Sequence, residues 1–197
     1  MKLKDATPEQ INKVYSLLGD GPKIHGILEL PSGEEFLIYE NSIGLSRRET
    51  YYIRAVPLSL FDAEHWSLPH IPKIIVSIVP TNVGSEEFLF LPVVLNHVVN
   101  TYPEAAQESL FCVELDEIYM ANYHSIGLGS NLLSWALARC QQDWFEKDRV
   151  ITHMFGKVVP DDDNRLKDVI RFYRHNGFRE AYGFIYRMIY PVRENIS

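Results

Sequence analysis

Strand and helix patterns alternate along the second half of this 197-residue chain, and that alternation constrains the fold more than any other feature. Extended apolar stretches at residues 110–120, 150–159 and 182–190 are separated by helical patterns at 127–145 and 164–175. This strand–helix–strand–helix–strand order is typical of an α/β unit, in which helices cover a sheet. No repeat, linker or low-complexity tract divides the chain, so the sequence predicts a single α/β domain.

The last helix and the last strand carry more detailed signals. Asn176-Gly177 predicts a left-handed cap at the C-terminus of the helix. In the stretch that follows, alternation predicts one strand with an aromatic face made of Tyr182, Phe184, Tyr186, Met188 and Tyr190.

The first half of the chain has a less regular pattern. Thr7 as N-cap, Pro8 at the first helical position and Gln10 completing a capping box predict a helix. Extended runs at 24–30 and 35–40, joined by a Pro-Ser-Gly turn, predict a hairpin. The other expected elements are strands at 50–56 and 73–79, a short helix at 58–66 and a helix at 92–102.

The charge balance argues against one class of function. Asp and Glu number 26 against 19 Lys and Arg, which gives a formal net charge of -7. Because binding driven by phosphate neutralisation needs a basic excess, we expect no nucleic-acid partner. A negative field favours a cationic small substrate or partner through long-range steering, although the same charge also serves solubility.

The cysteines and the apolar runs indicate a cytoplasmic protein. Cys112 and Cys140 are too few for a disulfide framework or a thiolate zinc site, so we expect buried, reduced thiols and no metal. The N-terminal residues contain no apolar core of signal-peptide type. The most apolar run, Phe88–Val99, is too short to span a bilayer and contains Asn96 and His97, so no membrane partner is expected.

Residues 114–133 contain the most informative local pattern, a strand that runs through a short turn into a helix opened by Gly127 and Gly129. The first amides of a helix have no partner within it, and the helix dipole concentrates positive potential there. Glycines let a phosphate approach these amides, so an acidic protein can still bind a pyrophosphate. A tight strand-to-helix turn without a ligand is the alternative that this motif leaves open.

Two familiar phosphate-binding motifs do not fit this junction. A dinucleotide fingerprint would place a third glycine at position 132, which is Leu132 here. A P-loop would need a Gly-Lys-Ser/Thr run, and the chain has none.

A second motif, Phe172–Phe178, closes the helix that precedes the aromatic strand. Together with the glycine loop it resembles the GNAT superfamily of acyl-CoA-dependent N-acyltransferases. The pyrophosphate loop of that family, Arg/Gln-x-x-Gly-x-Gly/Ala, is matched by residues 124–129. Its late signature, a Tyr four residues before a Gly-Phe pair, is matched by Tyr173. The resemblance covers residues 109–190.

The resemblance implies a mixed, twisted central sheet flanked by helices, with acetyl-CoA as cosubstrate. The implied reaction is direct attack of a primary amine on the thioester carbonyl, without a covalent enzyme intermediate. Residues 109–190 would hold acetyl-CoA and the catalytic groups. The variable N-terminal half, residues 1–108, would bind the acceptor, a small-molecule or peptide amine. A homodimer is compatible with this assignment.

The resemblance also implies catalytic roles. Tyr173 would act as the general acid for the departing thiolate, although a tyrosine on an apolar stripe is by default a core residue. An acidic residue on the preceding strand, or a water that it activates, would accept the proton of the amine. Glu114, Asp116 and Glu117 are the candidates for this base. Alternation places the first two on one face, and Glu117 is favoured because it is closest to the strand end.

The expected cofactor contacts lie on the same strand and on the loop after it. The pantetheine arm would pair with the backbone of Ile118, Tyr119 and Met120. The pyrophosphate would be held by His124, Ser125, Ile126, Gly127, Leu128, Gly129, Ser130 and Asn131.

Three features depart from the family pattern. His124 replaces the usual Arg or Gln, and the turn between Met120 and His124 is one residue shorter than usual and lacks its proline. The Asn that many relatives carry seven residues before the Tyr is Leu166 here, while Asn164 lies two residues earlier and stays a candidate cofactor contact. These departures motivate an alternative function, a non-catalytic acyl-CoA-binding or protein-interaction module.

Overall fold

The computed structural model describes residues 3–18, 21–45, 48–62, 71–81, 100, 110–120, 123, 127–146, 149–158, 163–181 and 183–189. Three α-helices lie in this part of the chain: α1 (Pro8–Leu18), α2 (Leu128–Glu146) and α3 (Asp163–His175). A short 3₁₀-helix spans Leu58–Asp62. The strands are β1 (Leu3–Lys4), β2 (Lys23–Glu29), β3 (Glu35–Leu45), β4 (Arg48–Pro57), β5 (Lys73–Pro80), β6 (Leu110–Tyr119), β7 (Val150–Lys157), β8 (Arg179–Ala181) and β9 (Phe184–Met188).

The strands form a mixed sheet in the order β1-β2-β3-β4-β5-β6-β7-β9-β8. Its described pairs are antiparallel at β1–β2, β2–β3, β7–β9 and β8–β9. The β6–β7 pair is parallel, and α2 is the helix of its crossover, as a parallel connection requires. The α/β class and the mixed sheet predicted from the sequence are therefore confirmed.

The chain divides into two compact units, and the division falls within β4, β5, β6 and α2. The first unit comprises residues 1–45, 49–76 and 116–136, and the second comprises residues 46–48, 77–115 and 137–197.

The first unit begins with the predicted capping box. The Thr7 amide donates to Gln10 Oε1 (2.8 Å), and the Gln10 amide donates to Thr7 Oγ1 (3.3 Å). These bonds satisfy two amides that a helix leaves without internal partners. The inner face of α1 then packs on the strands in one apolar cluster, formed by Val14, Ile27, Leu37, Tyr39, Val56, Phe61 and Ile71.

The predicted hairpin is β2–β3, and it contains an irregularity that the sequence did not indicate. The register shifts between Ile24 and Gly26, so His25 is an extra residue on β2. The His25 Nε2 atom lies 3.2 Å from Oε2 of the buried Glu40, and its ring meets Trp135 edge-on at 4.6 Å between centroids. The bulge thus directs a polar side chain towards a buried carboxylate.

The second unit confirms the predicted cap after α3. Gly177 has a φ of +80°, its amide donates to the Arg174 carbonyl (3.0 Å), and the Phe178 amide donates to the Tyr173 carbonyl (3.0 Å). This pair of bonds is a Schellman motif, in which the left-handed residue is usually glycine because a Cβ would be strained.

The predicted strand over residues 182–190 is wrong in its extent. The chain forms a short hairpin instead, in which β8 pairs with β9 and Gly183 (φ +80°) lies in the turn. A residue in this left-handed conformation cannot continue a strand, so the strand begins at Phe184. Tyr182 and Tyr190 lie outside the described residues.

The remaining element predictions are confirmed where they can be compared. Strands β4, β5, β6 and β7 match the predicted stretches within a few residues. The short helix expected at 58–66 is a 3₁₀-helix, and the helix expected at 92–102 lies outside the described residues apart from residue 100. Both cysteines are buried free thiols, as expected. Among the helices described, none has the length and apolarity needed to cross a bilayer.

Candidate active site

The carboxyl end of β6 belongs to the first unit and holds the residues predicted to lie along pantetheine. Ile118 and Tyr119 are half-buried, and Met120 is buried. The chain then turns, with the Tyr123 amide donating to the Met120 carbonyl (2.8 Å). The Tyr123 ring packs edge-on against Phe36 of β3, 5.2 Å between centroids, so this turn is held against the hairpin.

The start of α2 lies in the same unit and has an open glycine. Gly127 is exposed with a φ of +83°, and a Cβ built on it would meet nothing within 4 Å. The Asn131 amide and its side-chain Nδ2 both donate to the Gly127 carbonyl, at 3.1 and 3.0 Å. The side chains of Leu128 and Leu132 are buried and anchor the helix. Backbone conformation and space at Gly127 therefore both suit the close approach of an anionic group.

The other loop residues of the predicted pyrophosphate site divide into two groups. Gly129, Ser130 and Asn131 lie in the first turn of α2, and the Asn131 amide already donates to the Gly127 carbonyl. His124, Ser125 and Ile126 lie outside the described residues. The helix start predicted from the glycine pair is confirmed, and phosphate binding there stays a prediction.

Glu117, the favoured candidate base, forms an ion pair. Its Oε2 atom lies 2.9 Å from the Lys73 Nζ atom on the neighbouring strand β5. The Lys73 ammonium also lies 5.8 Å from the centroid of the Tyr119 ring. Glu117 and Tyr119 are two residues apart on one strand, which places them on one face. Lys73 therefore contacts a carboxylate and an aromatic ring together.

Glu114, a second candidate base, also forms an ion pair and lies in the second unit. Its Oε2 atom is 3.1 Å from Nη1 of Arg48 on β4. The Arg48 Nε atom donates to Ser77 Oγ on β5 (3.2 Å), so the guanidinium reaches across β5 to β6. Asp116, the third candidate, is exposed.

Tyr173 lies in the last turn of α3, also in the second unit. Its ring contacts those of Phe172 and Phe178 edge-on, at 5.2 and 5.5 Å between centroids. Burial raises the pKa of the Tyr173 phenol to about 12. An ordinary tyrosine already keeps its proton at physiological pH, and the higher pKa makes the Tyr173 phenol a weaker acid than usual. Asn164 lies in the first turn of the same helix.

The structure brings only part of the predicted set together within a unit. Glu117, the end of β6 and the start of α2 belong to the first unit, whereas Glu114, Tyr173 and Asn164 belong to the second. Sequence reasoning missed Lys73 and Arg48, the cations that pair with the candidate bases. No local signal identifies them, because each meets its carboxylate only through strand pairing.

Burial shifts the pKa values of two further groups in the second unit. Burial lowers the pKa of His153 to about 4 and raises the pKa of the Cys112 thiol to about 12. The His153 Nδ1 atom lies 2.7 Å from Thr152 Oγ1, and the Cys112 thiol donates to the Val79 carbonyl (3.8 Å). Both groups are therefore neutral near pH 7, and they are structural. In the part of the chain that the structure describes, no group of three or more His, Cys, Asp and Glu side chains is placed to hold a metal ion.

Comparison of the sequence with known proteins does not assign this site. No protein-family model matches the chain, and no curated protein matches it. The chemistry of the site therefore has to be argued from the residues themselves.

Proposed function

We propose that the protein is a GNAT-like N-acetyltransferase that transfers the acetyl group of acetyl-CoA to a primary amine by direct attack. The observation that carries the proposal is the open start of α2, where an exposed glycine in a left-handed conformation begins the crossover helix of a parallel strand pair. Ligands of open α/β sheets bind outside the carboxyl ends of such strands. Helix-end amides suit a pyrophosphate, the most highly charged part of acetyl-CoA.

The transfer exchanges two bonds, and an acceptor that binds as an ammonium ion loses two protons. The first proton leaves to solvent, which frees the nitrogen lone pair for attack, and the second leaves the nitrogen after the attack. The amine nitrogen attacks the thioester carbonyl, the new C–N bond forms, and the C–S bond breaks to release the CoA thiolate. The second proton needs an acceptor, and the thiolate needs a donor. Glu117 is our candidate proton acceptor because its carboxylate is on β6, the strand whose end is predicted to lie along the pantetheine arm. Tyr173 is the candidate donor because it occupies the position of the tyrosine in the late GNAT signature, four residues before Gly177-Phe178.

The acceptor is proposed to be cationic. The formal net charge of -7 creates a field that attracts protonated amines and repels a polyanionic cofactor. Binding of acetyl-CoA must then rest on local amides, such as those at the start of α2, and not on a basic surface.

Calorimetric titration with acetyl-CoA, followed by a thiol-release assay against a panel of primary amines, tests this function. We expect acetyl-CoA to bind and CoA to be released only when a primary amine is present. Desulfo-CoA, which keeps the pyrophosphate but carries no thioester, is the control for binding without chemistry. Binding without release on any amine would support the non-catalytic module, and no binding of acetyl-CoA would overturn both functions.

A further inference from the structure

We propose that Glu117 and Tyr119 form a binding site for the ammonium group of a primary alkylamine, and that the Lys73 side chain occupies this site until an amine displaces it. The inference deepens the proposed function, since it names the site and the class of the acceptor. It also assigns Lys73 the role of an internal competitor.

The arrangement around Lys73 is that of a bound ammonium ion. The Nζ atom lies 2.9 Å from Glu117 Oε2 and 5.8 Å from the centroid of the Tyr119 ring. A carboxylate within hydrogen-bonding distance and an aromatic ring within about 6 Å are the two groups that recognise ammonium in proteins. The Lys73 side chain is thus an alkylammonium group bound between Glu117 and Tyr119 within the first unit.

The occupant is held weakly enough to be displaced. The Lys73 and Glu117 side chains are 29% and 41% exposed, so water and ligands reach the pair. Exposed ion pairs contribute little to stability, and a lysine side chain has a flexible four-carbon stem that can swing away. An incoming ammonium can therefore take the place of Nζ without disrupting the sheet.

The geometry also selects the class of acceptor. The present occupant carries a primary ammonium at the end of an unbranched alkyl stem, so a ligand of the same shape makes the same two contacts. A lysine side chain of a peptide and a simple n-alkylamine share this chemistry. The site lies on β6, whose end is proposed to pair with the pantetheine arm of acetyl-CoA.

The test is the affinity for n-pentylamine, measured by nuclear magnetic resonance titration without acetyl-CoA. The competition model predicts that Lys73→Met binds n-pentylamine about two- to fivefold more tightly than the parent protein, the range set by the weakness of exposed ion pairs. Lys73→Arg keeps a cation beside Glu117 and should retain the parent affinity. Glu117→Gln in the Lys73→Met background should lose the gain, and n-pentanol should bind none of the variants.

Lys13→Met is the matched control. Lys13 on α1 also lies over an aromatic ring, 5.5 Å from the centroid of Phe61, so this variant removes one positive charge and one ring contact away from β6. If Lys13→Met and Lys73→Met raise the affinity equally, the effect is one of net charge and the proposal is overturned. Equal affinity in the parent and Lys73→Met would overturn it as well.

Failure of the ammonium-site proposal can be distinguished from failure of the acetyltransferase proposal. Tighter amine binding in Lys73→Met without any binding of acetyl-CoA would retain the ammonium site and refute the acetyltransferase. Amine-dependent release of CoA, with the same KM for n-pentylamine in the parent and Lys73→Met, would retain the acetyltransferase and refute the ammonium site.

Discussion

Two helix ends in this protein are built on glycines of nearly the same conformation, yet their surroundings differ. Gly127 before α2 has a φ of +83°, and a Cβ placed on it would meet nothing within 4 Å. Gly177 after α3 has a φ of +80°, and a Cβ there would lie 3.4 Å from the guanidinium of Arg187. The Arg187 Nη1 atom also donates to the Asn176 carbonyl (2.6 Å), which closes this end of the helix.

The difference shows that a glycine conformation does not by itself identify a binding site. At the C-terminus of α3, the left-handed residue completes a Schellman motif and its surroundings are filled by protein. At the N-terminus of α2, the same conformation leaves open space beside helix-end amides, the groups that attract anions. We therefore assign a structural role to the closed end and propose ligand binding at the open end.

The largest predicted effect is a loss of folding stability at low pH, caused by the buried His153 of the second unit. The closed end at Gly177 belongs to the same unit. Because His153 has a pKa of about 4 when folded and about 6.5 when unfolded, the unfolded chain binds the extra proton first as the pH falls. The stability that neutral His153 contributes is present above pH 6.5 and is lost as the pH falls towards 4, by up to about 3 kcal/mol.

Urea denaturation of the parent and of His153→Asn between pH 7 and pH 4 measures this loss. The parent should lose stability more steeply than the variant over this range, since only the parent has the imidazole. Parallel pH profiles would show that burial of His153 does not couple folding to protonation.

The second prediction concerns the hydroxyl group of Tyr173, which lies in the last turn of α3 before the cap at Gly177. Tyr173→Phe should lower kcat about a hundredfold, because general acid catalysis typically contributes factors of this size or more. The dissociation constant for acetyl-CoA and the unfolding midpoint should change little, since both ring contacts of Tyr173 are retained. Steady-state kinetics with calorimetry separates these quantities, and an unchanged kcat would remove Tyr173 from the acid role.

The third prediction tests the open end directly. Gly127→Ala should weaken acetyl-CoA binding about tenfold, because its Cβ would project into the space through which the phosphates approach. Gly33→Ala is the matched control, since Gly33 has a φ of +84° and equally open surroundings but lies in the β2–β3 turn. Both variants carry the same backbone strain. Equal losses of affinity in calorimetry would therefore contradict a phosphate site at Gly127.

The smallest predicted effect belongs to the closed end. Gly177→Ala should lower the free energy of unfolding by about 1 kcal/mol, because an L-residue is strained in the left-handed conformation. The dissociation constant for acetyl-CoA should stay at the parent value. A chemical denaturation curve and a calorimetric titration check the two statements, and a variant that loses affinity but not stability would reverse the roles of the two glycines.

Local signals in the sequence predicted much of the fold. The Thr7 capping box, the start of α2 after Gly127 and the cap at Gly177 all depend on contacts within a few residues along the chain. Such contacts can be recognised from residue spacing alone.

The contacts between strands could not be predicted in this way. The bulge at His25 depends on how β2 and β3 align, and the ion pairs of Glu114 and Glu117 depend on which strands lie beside β6. The hairpin β8–β9 was missed because aromatic alternation suggested one continuous strand, whereas the backbone turns at Gly183. Alternation reports which face a side chain occupies and contains no information about its partner on the next strand.

The sequence by itself determined the α/β class, the helix that begins at the glycine pair and the cap that follows Tyr173, since these features depend on near neighbours and hydrophobic period. Only the tertiary structure decided that Lys73 lies against Glu117 and Tyr119, that the surroundings of Gly127 are open, and that burial raises the pKa of the Tyr173 phenol. The physical reason is that distance, open space and desolvation are properties of residues that are brought together from separate parts of the chain, and no local pattern contains them.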